Sequence, residues 1–292
     1  METVPAKHLL QKTRSPAWFG TEYNLNLYRG CCHGCIYCDS RSECYRIDDF
    51  DRVRAKENAI PLLRQELATK RQTGVVSLGA MSDSYNPFEE GQQLTRQALA
   101  LFLRHGFGAA IATKSDLITR DRALLAELSA QAPVIVKFSL STADEGLAAR
   151  VEPRAPSPAR RLRALEQLSA AGVFAGVLLM PVLPLLEDEP DQVVELVRRA
   201  ADAGARFIYP AFGVTLRQNQ RAHYYRQLER HFPGLAERYR DLYGDAYWCA
   251  SPRHRELYGV FSAACQRRGL LYTMEEIVRA YKPPRAEQLS LF

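Results

Sequence analysis

Residues 30–39 read Gly-Cys-Cys-His-Gly-Cys-Ile-Tyr-Cys-Asp and decide the fold class of this chain. Three of the cysteines, Cys31, Cys35 and Cys38, have the spacing C-x3-C-x2-C, and Tyr37 directly precedes the last of them. Separations of four and three residues turn their sulfurs to one side of a loop with helical character. Three thiolates hold three irons of a cubane cluster and leave the fourth iron open, whereas electron-transfer clusters usually have four cysteines. An open coordination position is typical of a catalytic metal site.

A structural zinc site is the alternative interpretation of the same loop, with Cys44 or His33 as the fourth ligand. Zinc knuckles normally combine C-x2-C with a second, distant pair of ligands. Cys249 and Cys265, the two cysteines far from this loop, stand alone. The spacing therefore favours an iron–sulfur cluster.

Length and composition describe an ordinary globular chain. It has 292 residues, 47% of them hydrophobic and 25% charged, which allows one barrel-type domain or a domain with an appendage. No apolar run approaches the roughly 20 residues that span a bilayer, and the N-terminus lacks the apolar segment of a signal peptide. The chain has seven cysteines, an odd number, and five of them lie between residues 31 and 44, which suits a reducing compartment. These features predict a cytoplasmic protein without a membrane partner.

Strand-like and helix-like patterns alternate from residue 22 to about 214. The predicted strands are Tyr23–Tyr28, Val75–Ala80, Ala109–Thr113, Val134–Ser141, Val177–Pro181 and Phe207–Ala211. The predicted helices are Ala55–Lys70, Gln92–His105, Arg122–Ser129, Ala159–Ala171 and Pro190–Ala203. Such βα alternation predicts a parallel sheet with helices outside it, and six units are too few for a closed eight-fold barrel.

After Gly213 the pattern predicts helices only. We therefore divide the chain into four parts: an N-terminal extension (1–21), an α/β domain (22–215), a helical C-terminal region (216–282) and a flexible tail (283–292).

Polar side chains follow several of the predicted strands. Ser82, Asp83 and Tyr85 follow the second strand, Lys114 follows the third, and Ser139 lies at the end of the fourth. A single Ser or Asp at such a position more often caps the next helix. Several polar strand ends converging on one barrel mouth favour a ligand site.

The cysteine loop resembles that of the radical S-adenosylmethionine (SAM) superfamily. Together with Ser82-Asp83, Thr113-Lys114, Phe138-Ser139 and Glu152-Pro153 with Arg161, it is similar to the spore photoproduct lyase-like (DNA repair photolyase-like) branch over roughly residues 20–215. The resemblance implies an α/β fold, a partial (β/α)6 TIM-like barrel with a C-terminal helical extension. It also implies a [4Fe–4S] cluster on Cys31, Cys35 and Cys38, whose open iron binds SAM.

The same resemblance implies roles for further residues. Ser82, Lys114 and Ser139 would contact SAM, with Lys114 pairing with its carboxylate, and Tyr37 would lie near the adenine. Asp83, Glu152 and Arg161 would complete the cofactor site. Tyr85 is a catalytic candidate because of its position after the second strand, where it would shape the mouth.

One position departs from the family pattern. The spore enzyme has a hydrogen-donating cysteine two residues before the serine matched by Ser82, and this chain has Ala80 there. We therefore do not expect spore photoproduct reversal with that donor. Cys32 and Cys44 are candidates to replace that cysteine as the hydrogen-atom donor. The alternative is that they are small buried hydrophobes or incidental thiols.

The last quarter of the chain is basic and aromatic. Residues 217–292 hold thirteen basic and eight acidic residues and 12 of the 28 aromatics. Arginines interleaved with aromatics suit a nucleic-acid surface. The alternative is amphipathic helices whose rings pack on the barrel.

The last five residues form a second motif. Gln288, Leu289, Leu291 and Phe292 follow a proline-containing loop and resemble the peptides by which bacterial repair proteins bind the DNA polymerase sliding clamp. A tail folded onto its own domain is the alternative.

These observations predict a radical SAM enzyme, lyase-like or DNA-modifying, that cleaves SAM reductively and acts on DNA. It would receive electrons from a donor such as flavodoxin or ferredoxin. Two alternatives stay open: a radical SAM enzyme acting on a peptide, RNA or small metabolite, and a non-catalytic zinc or cluster protein recruited to DNA through the clamp.

Overall fold

A seven-stranded sheet forms the centre of the computed structural model, which describes residues 1–282. The strands of the described chain are β1 (Thr3–Val4), β2 (Gln11–Lys12), β3 (Tyr23–Leu25), β4 (Tyr28–Arg29), β5 (Arg54–Lys56), β6 (Val75–Leu78), β7 (Gly108–Thr113), β8 (Val134–Ser139), β9 (Ala175–Leu179), β10 (Ile208–Pro210), β11 (Gly213–Thr215) and β12 (Trp248–Ala250). The helices are α1 (Ala59–Ala68), α2 (Glu89–Gln92), α3 (Leu94–His105), α4 (Arg122–Gln131), α5 (Glu145–Val151), α6 (Pro158–Ala170), α7 (Pro190–Asp202), α8 (Gln220–His231), α9 (Leu235–Tyr243), α10 (His254–Arg268) and α11 (Met274–Tyr281). Short 3₁₀ turns lie at Asp39–Arg41, Glu43–Tyr45 and Asp116–Asp121.

The large sheet has the strand order β10-β9-β8-β7-β6-β3-β2. From β3 to β10 the six strands are parallel and follow one another in chain order, and β2 pairs antiparallel at the edge. At least one helix lies between each strand of this parallel series and the next, from β3 to β10. The predicted α/β partial barrel of six units is confirmed. No helix of residues 1–282 is both long and apolar enough to cross a bilayer.

The two faces of the sheet bury different clusters, because successive strand residues point to opposite faces. On β8, Val136 and Phe138 belong to the cluster formed with the surrounding helices. Ile135 belongs to the inner cluster, which also contains Phe19 and Phe207. The inner face therefore carries the residues that lead up to the barrel mouth.

The N-terminal segment closes the open side of the partial barrel. β2 pairs with β3 at one edge of the sheet, through Gln11 and Asn24. The fully buried ring of Phe19 lies 5.6 Å from the ring of Tyr209 on β10, the other edge. Residues predicted as an extension thus contribute to the barrel core.

The C-terminal region differs from the prediction of helices alone. Its helices α8 to α11 are interrupted by β12, which pairs antiparallel with β11 through Thr215 and Trp248. A three-residue strand has too few positions to show a period of two in the sequence, and its partner lies more than 30 residues away. The prediction was wrong at this element for that reason.

Lys137 on β8 is an unusual member of the barrel interior. Its side chain is fully buried, and its Nζ lies 4.4 Å above the centre of the Phe19 ring. Within residues 1–282 no carboxylate lies within ion-pairing distance of it. Burial lowers the pKa of Lys137 from 10.5 to about 7, because the charged form loses its hydration.

Replacing Lys137 with methionine is expected to stabilise the protein by about 1–3 kcal/mol near neutral pH, because it removes a polar group that is buried without an anionic partner. Because the lysine pKa is lower in the folded state, the unfolded chain binds more protons between about pH 7 and pH 10.5. The loss of stability caused by burying the lysine is therefore greatest below about pH 7 and decreases as the pH rises toward 10.5. Urea titrations of both proteins at about pH 6 and about pH 9 should therefore give the larger gain at the lower pH. An equal gain at both values would contradict this account.

Candidate active site

A cavity of about 450 Å³ opens at the carboxyl ends of the parallel strands. Its size is typical of a small-molecule site. Eight of the residues predicted for the metal and cofactor site line it: Cys31, Cys35, Tyr37, Cys38, Ser82, Asp83, Lys114 and Ser139. The fold thus gathers these side chains from four separate segments of the sequence at one mouth.

The cysteine loop is held in one conformation by its flanks. Gly30 has a φ of +83°, and a Cβ atom there would lie 2.4 Å from the carbonyl oxygen of Arg52, so only glycine fits. From the other side, Gln220 Nε2 on α8 donates a hydrogen bond of 2.9 Å to the carbonyl of Tyr37. The loop is therefore fixed before any ligand binds.

Burial raises the pKa of all three loop thiols, to about 12 at Cys31. At Cys35 and Cys38 the positive charge of Lys114 opposes that rise. Within residues 1–282 no three His, Cys, Asp or Glu side chains are gathered around a point where they could share one metal ion. In a cubane cluster each cysteine binds a different iron. The three thiols that line one cavity can therefore supply one ligand to each of three irons.

Asp83 fastens the cysteine loop to the strand ends. One oxygen of its carboxylate lies 3.0 Å from His33 Nε2, in the cysteine loop, and accepts from the backbone N–H of Lys114 at 2.8 Å. The other oxygen accepts from Thr113 Oγ1 at 2.7 Å. Burial opposes ionisation of this carboxyl, but the hydrogen bonds and the His33 contact outweigh burial and lower the pKa of Asp83 to about 2. Asp83 is therefore ionised, and groups of the protein itself bind its carboxylate.

Lys114 presents a cation to the cavity. Burial disfavours its charge, but Cys35 and Glu152 outweigh that effect and raise the pKa of Lys114. Its Nζ lies 3.8 Å from Glu152 Oε1 and 5.6 Å from the centre of the Tyr37 ring. Lys114 thus remains protonated at neutral pH, with its ammonium group beside the cysteine loop.

Glu152 and Arg161 form a buried ion pair behind this wall. Glu152 also accepts a hydrogen bond from the Tyr37 hydroxyl, and Arg161 Nη1 donates to the carbonyl of Ser139 at 2.9 Å. Neither residue lines the cavity. The pair therefore supports the Tyr37 side chain and the Ser139 backbone from behind the cavity wall.

Ser82 presents an unpaired hydroxyl group to the cavity. Its Oγ is buried on the cavity wall and has no hydrogen-bond partner among the described residues. Buried hydroxyl groups are nearly always paired, so an unpaired one at a cavity indicates a partner that binds there.

The structure does not bring the predicted catalytic residues to this cavity. Tyr85 is fully buried and donates a hydrogen bond of 3.1 Å to Asp121 Oδ2. Cys32 is half-buried against the helix-side core, and Cys44 is exposed, with its Sγ 3.0 Å from Ser42 Oγ. Ala80, the residue in the place of the lyase cysteine, does line the cavity.

The aromatic residues of the C-terminal region divide into two groups. Tyr224, Tyr225 and Tyr239 are buried in a cluster with the cysteine loop, as the packing alternative predicts. Tyr247 and Trp248 remain exposed. The clamp-like residues lie outside the described part of the chain: Gln288, Leu289, Leu291 and Phe292.

Two aromatic residues of the cavity were not predicted as site residues. Trp18 lines the rim from the N-terminal segment, and Trp248 was noted only as one aromatic among many. Neither lies at the end of a predicted barrel strand, whereas Ser82, Asp83, Lys114 and Ser139 do.

Comparisons with known proteins agree with this geometry. Residues 25–197 match the family model of the radical SAM superfamily. An uncharacterized protein of Mycobacterium tuberculosis is 35% identical over 263 residues, covering 87% of this chain and 76% of that protein. An uncharacterized protein of Methanocaldococcus jannaschii is 29% identical, covering 79% and 83%.

Solved structures show the same fold at low identity. Spore photoproduct lyase complexed with dinucleoside spore photoproduct superposes with a TM-score of 0.66 at 15% identity, covering 92% of this chain and 81% of that one. The radical SAM methyltransferase TsrM from Kitasatospora setae has a TM-score of 0.56 at 13% identity, covering 86% and 54%. With a family match over more than half of its length, this chain belongs to the radical SAM superfamily.

Proposed function

We propose that this radical SAM enzyme holds a [4Fe–4S] cluster on Cys31, Cys35 and Cys38 and abstracts a hydrogen atom from a base in DNA. One observation carries the proposal. A single cavity is lined by the three thiols of the C-x3-C-x2-C loop, an unpaired buried hydroxyl at Ser82 and a protonated lysine at Lys114.

The residues present fit the cofactors that the family implies. When bound, the cluster and SAM supply a 5′-deoxyadenosyl radical. The ammonium group of Lys114 can pair with the SAM carboxylate, and the free hydroxyl of Ser82 can donate to the same ligand. Tyr37, held by Glu152 and by Gln220, forms a fixed wall of the site.

DNA as the substrate is supported by the lesion bound to the structurally similar lyase and by the exposed rings beside the cavity. The reaction we propose differs from lyase chemistry in one respect, because Ala80 on the cavity wall carries no thiol. An electron donor of the flavodoxin or ferredoxin type, and recruitment by the sliding clamp through residues 288–292, complete the proposal.

Transfer of deuterium tests this function. The reconstituted enzyme is incubated anaerobically with SAM, a reductant and DNA duplexes whose bases are deuterated, with and without ultraviolet damage. We expect substrate-dependent formation of 5′-deoxyadenosine that carries deuterium, measured by mass spectrometry. Deuterium in 5′-deoxyadenosine identifies the abstracted hydrogen directly, since it can come only from the labelled substrate.

The control is the Cys35→Ala variant, which should form no 5′-deoxyadenosine. RNA and peptide pools of the same concentration are run in parallel. Turnover that responds to RNA or peptide and never to DNA would replace the proposed substrate with one of those classes.

A further inference from the structure

Both tryptophans of the chain line the same cavity. Trp18 comes from the segment between β2 and β3, and Trp248 begins β12, so residues 230 positions apart meet at one rim. Each side chain is 43% exposed. A single exposed aromatic residue is common on protein surfaces, but two at one ligand cavity are a feature of binding sites.

Each ring is held in place by its surroundings. Trp18 packs edge-to-face against Phe19, at 5.0 Å between ring centres, and against Tyr209, at 5.6 Å. Trp248 lies over Gly213, where a Cβ atom would come within 2.7 Å of the indole ring. The backbone of β12 is fixed by its pairing with β11. The two indoles are therefore preorganised although they are half open to solvent.

A cation lies beside Tyr247, the residue that precedes Trp248 in the chain. Arg217 donates to the hydroxyl of Tyr247, the neighbour of Trp248, and its guanidinium carbon lies 5.1 Å from the centre of the Tyr247 ring. Its Nε is 2.8 Å from Asp39, another residue of the cavity wall. Planar rings next to an arginine are the combination by which proteins bind a nucleotide, since bases stack on the rings and phosphates pair with the cation.

We propose that Trp18 and Trp248 bind the substrate base by stacking at the cavity rim and thereby select single, unpaired nucleotides. This inference rests on the proposed DNA function and specifies how the base is recognised. A base inside a duplex has both faces covered by its neighbours, so it can stack on these rings only after it has left the helix. The rings act as substrate-positioning residues and take no part in the chemistry.

Tryptophan fluorescence provides a direct test, because the chain has only these two tryptophans. The SAM-loaded holoenzyme is titrated with a short oligothymidylate and with an abasic oligomer of equal length and charge. We expect the oligothymidylate to quench the emission and to shield it from acrylamide, and the abasic oligomer to do neither. Both oligomers carry the same phosphates, so a difference between them reports stacking alone.

Variants then assign the effect to each ring. Replacing either tryptophan with leucine removes the ring but keeps an apolar side chain, and should weaken oligothymidylate binding about 5- to 140-fold, as expected for the loss of one stacked base. The Trp18→Phe and Trp248→Phe variants should retain most of the affinity. Melting temperatures and iron content, equal to those of the wild type, show that the site is intact.

Three results would overturn the inference: equal quenching by both oligomers, quenching by SAM alone with no further change, or leucine variants that bind as tightly as the phenylalanine variants. These outcomes leave the DNA function standing if deuterium still passes from DNA to 5′-deoxyadenosine. If no deuterium passes, the proposed function has failed as well, so the two failures are distinguishable.

Discussion

Replacing Cys35 with alanine is expected to abolish both cluster assembly and reductive SAM cleavage. The thiol is almost fully buried on the cavity wall, and it belongs to the middle cysteine of a loop held from both flanks. Removing it would leave two irons without a protein ligand, and no other thiol of residues 1–282 lines this cavity apart from Cys31 and Cys38. Anaerobic reconstitution followed by iron and sulfide analysis, visible absorption and 5′-deoxyadenosine measurement checks the result.

Four other cysteines serve as matched controls. Cys249→Ala and Cys265→Ala remove fully buried thiols that do not line the cavity, and should keep normal iron content with a stability loss on the order of 1 kcal/mol. Cys32→Ala and Cys44→Ala should also keep the cluster. If Cys44→Ala lost it instead, the assignment of three ligands would be incorrect, and Cys44 would have to reach the metal.

The barrel and the cavity could be predicted from the sequence because both depend on local patterns. Strands such as Val134–Ser139 and Ala175–Leu179 are short apolar runs between amphipathic helices, and chain order alone arranges them in a parallel sheet. Once the sheet is parallel, polar residues at the strand ends, such as Ser82 and Lys114, must meet at one mouth.

The remaining features depend on contacts between residues distant in sequence. The sequence predicts that Phe19 belongs to an irregular extension. Only the packing of its ring on β10 shows that it fills the barrel. Tyr85 follows Asp83 by two residues, which suggested a common location at the mouth. The chain turns after Asp83, however, and the phenol instead meets Asp121 in the core. Such placements follow from tertiary packing and carry no periodic signal.

Replacing Arg161 with methionine is expected to lower the free energy of unfolding by about 3–5 kcal/mol. Arg161 is almost fully buried, pairs with Glu152, and also donates to the carbonyls of Ser139 and Pro156. Methionine keeps the apolar volume, but it leaves the Glu152 carboxylate buried with Lys114 as its remaining nearby cation, 3.8 Å away. Urea unfolding monitored by circular dichroism measures the loss, and SAM affinity should fall too because Ser139 and Tyr37 lose their support.

The neighbouring Arg160 provides the matched control for this ion pair. Its side chain is exposed and forms a surface salt bridge with Asp116, so Arg160→Met should cost only about 0–1 kcal/mol.

Protonation of Glu152 gives a second check on the Arg161 prediction. In the wild type, burial opposes ionisation of Glu152, but Arg161 and Lys114 outweigh burial and hold its pKa below 4.5. The stability that the ionised Glu152 contributes is therefore present above pH 4.5 and is lost as the pH falls through the folded-state pKa. Without Arg161, burial should raise this pKa. The deficit of Arg161→Met should therefore shrink as the pH approaches 4.5, and adding Glu152→Gln should recover part of it at neutral pH. A deficit that is independent of pH and additive with Glu152→Gln would show that the loss comes from packing and not from the unpaired charge.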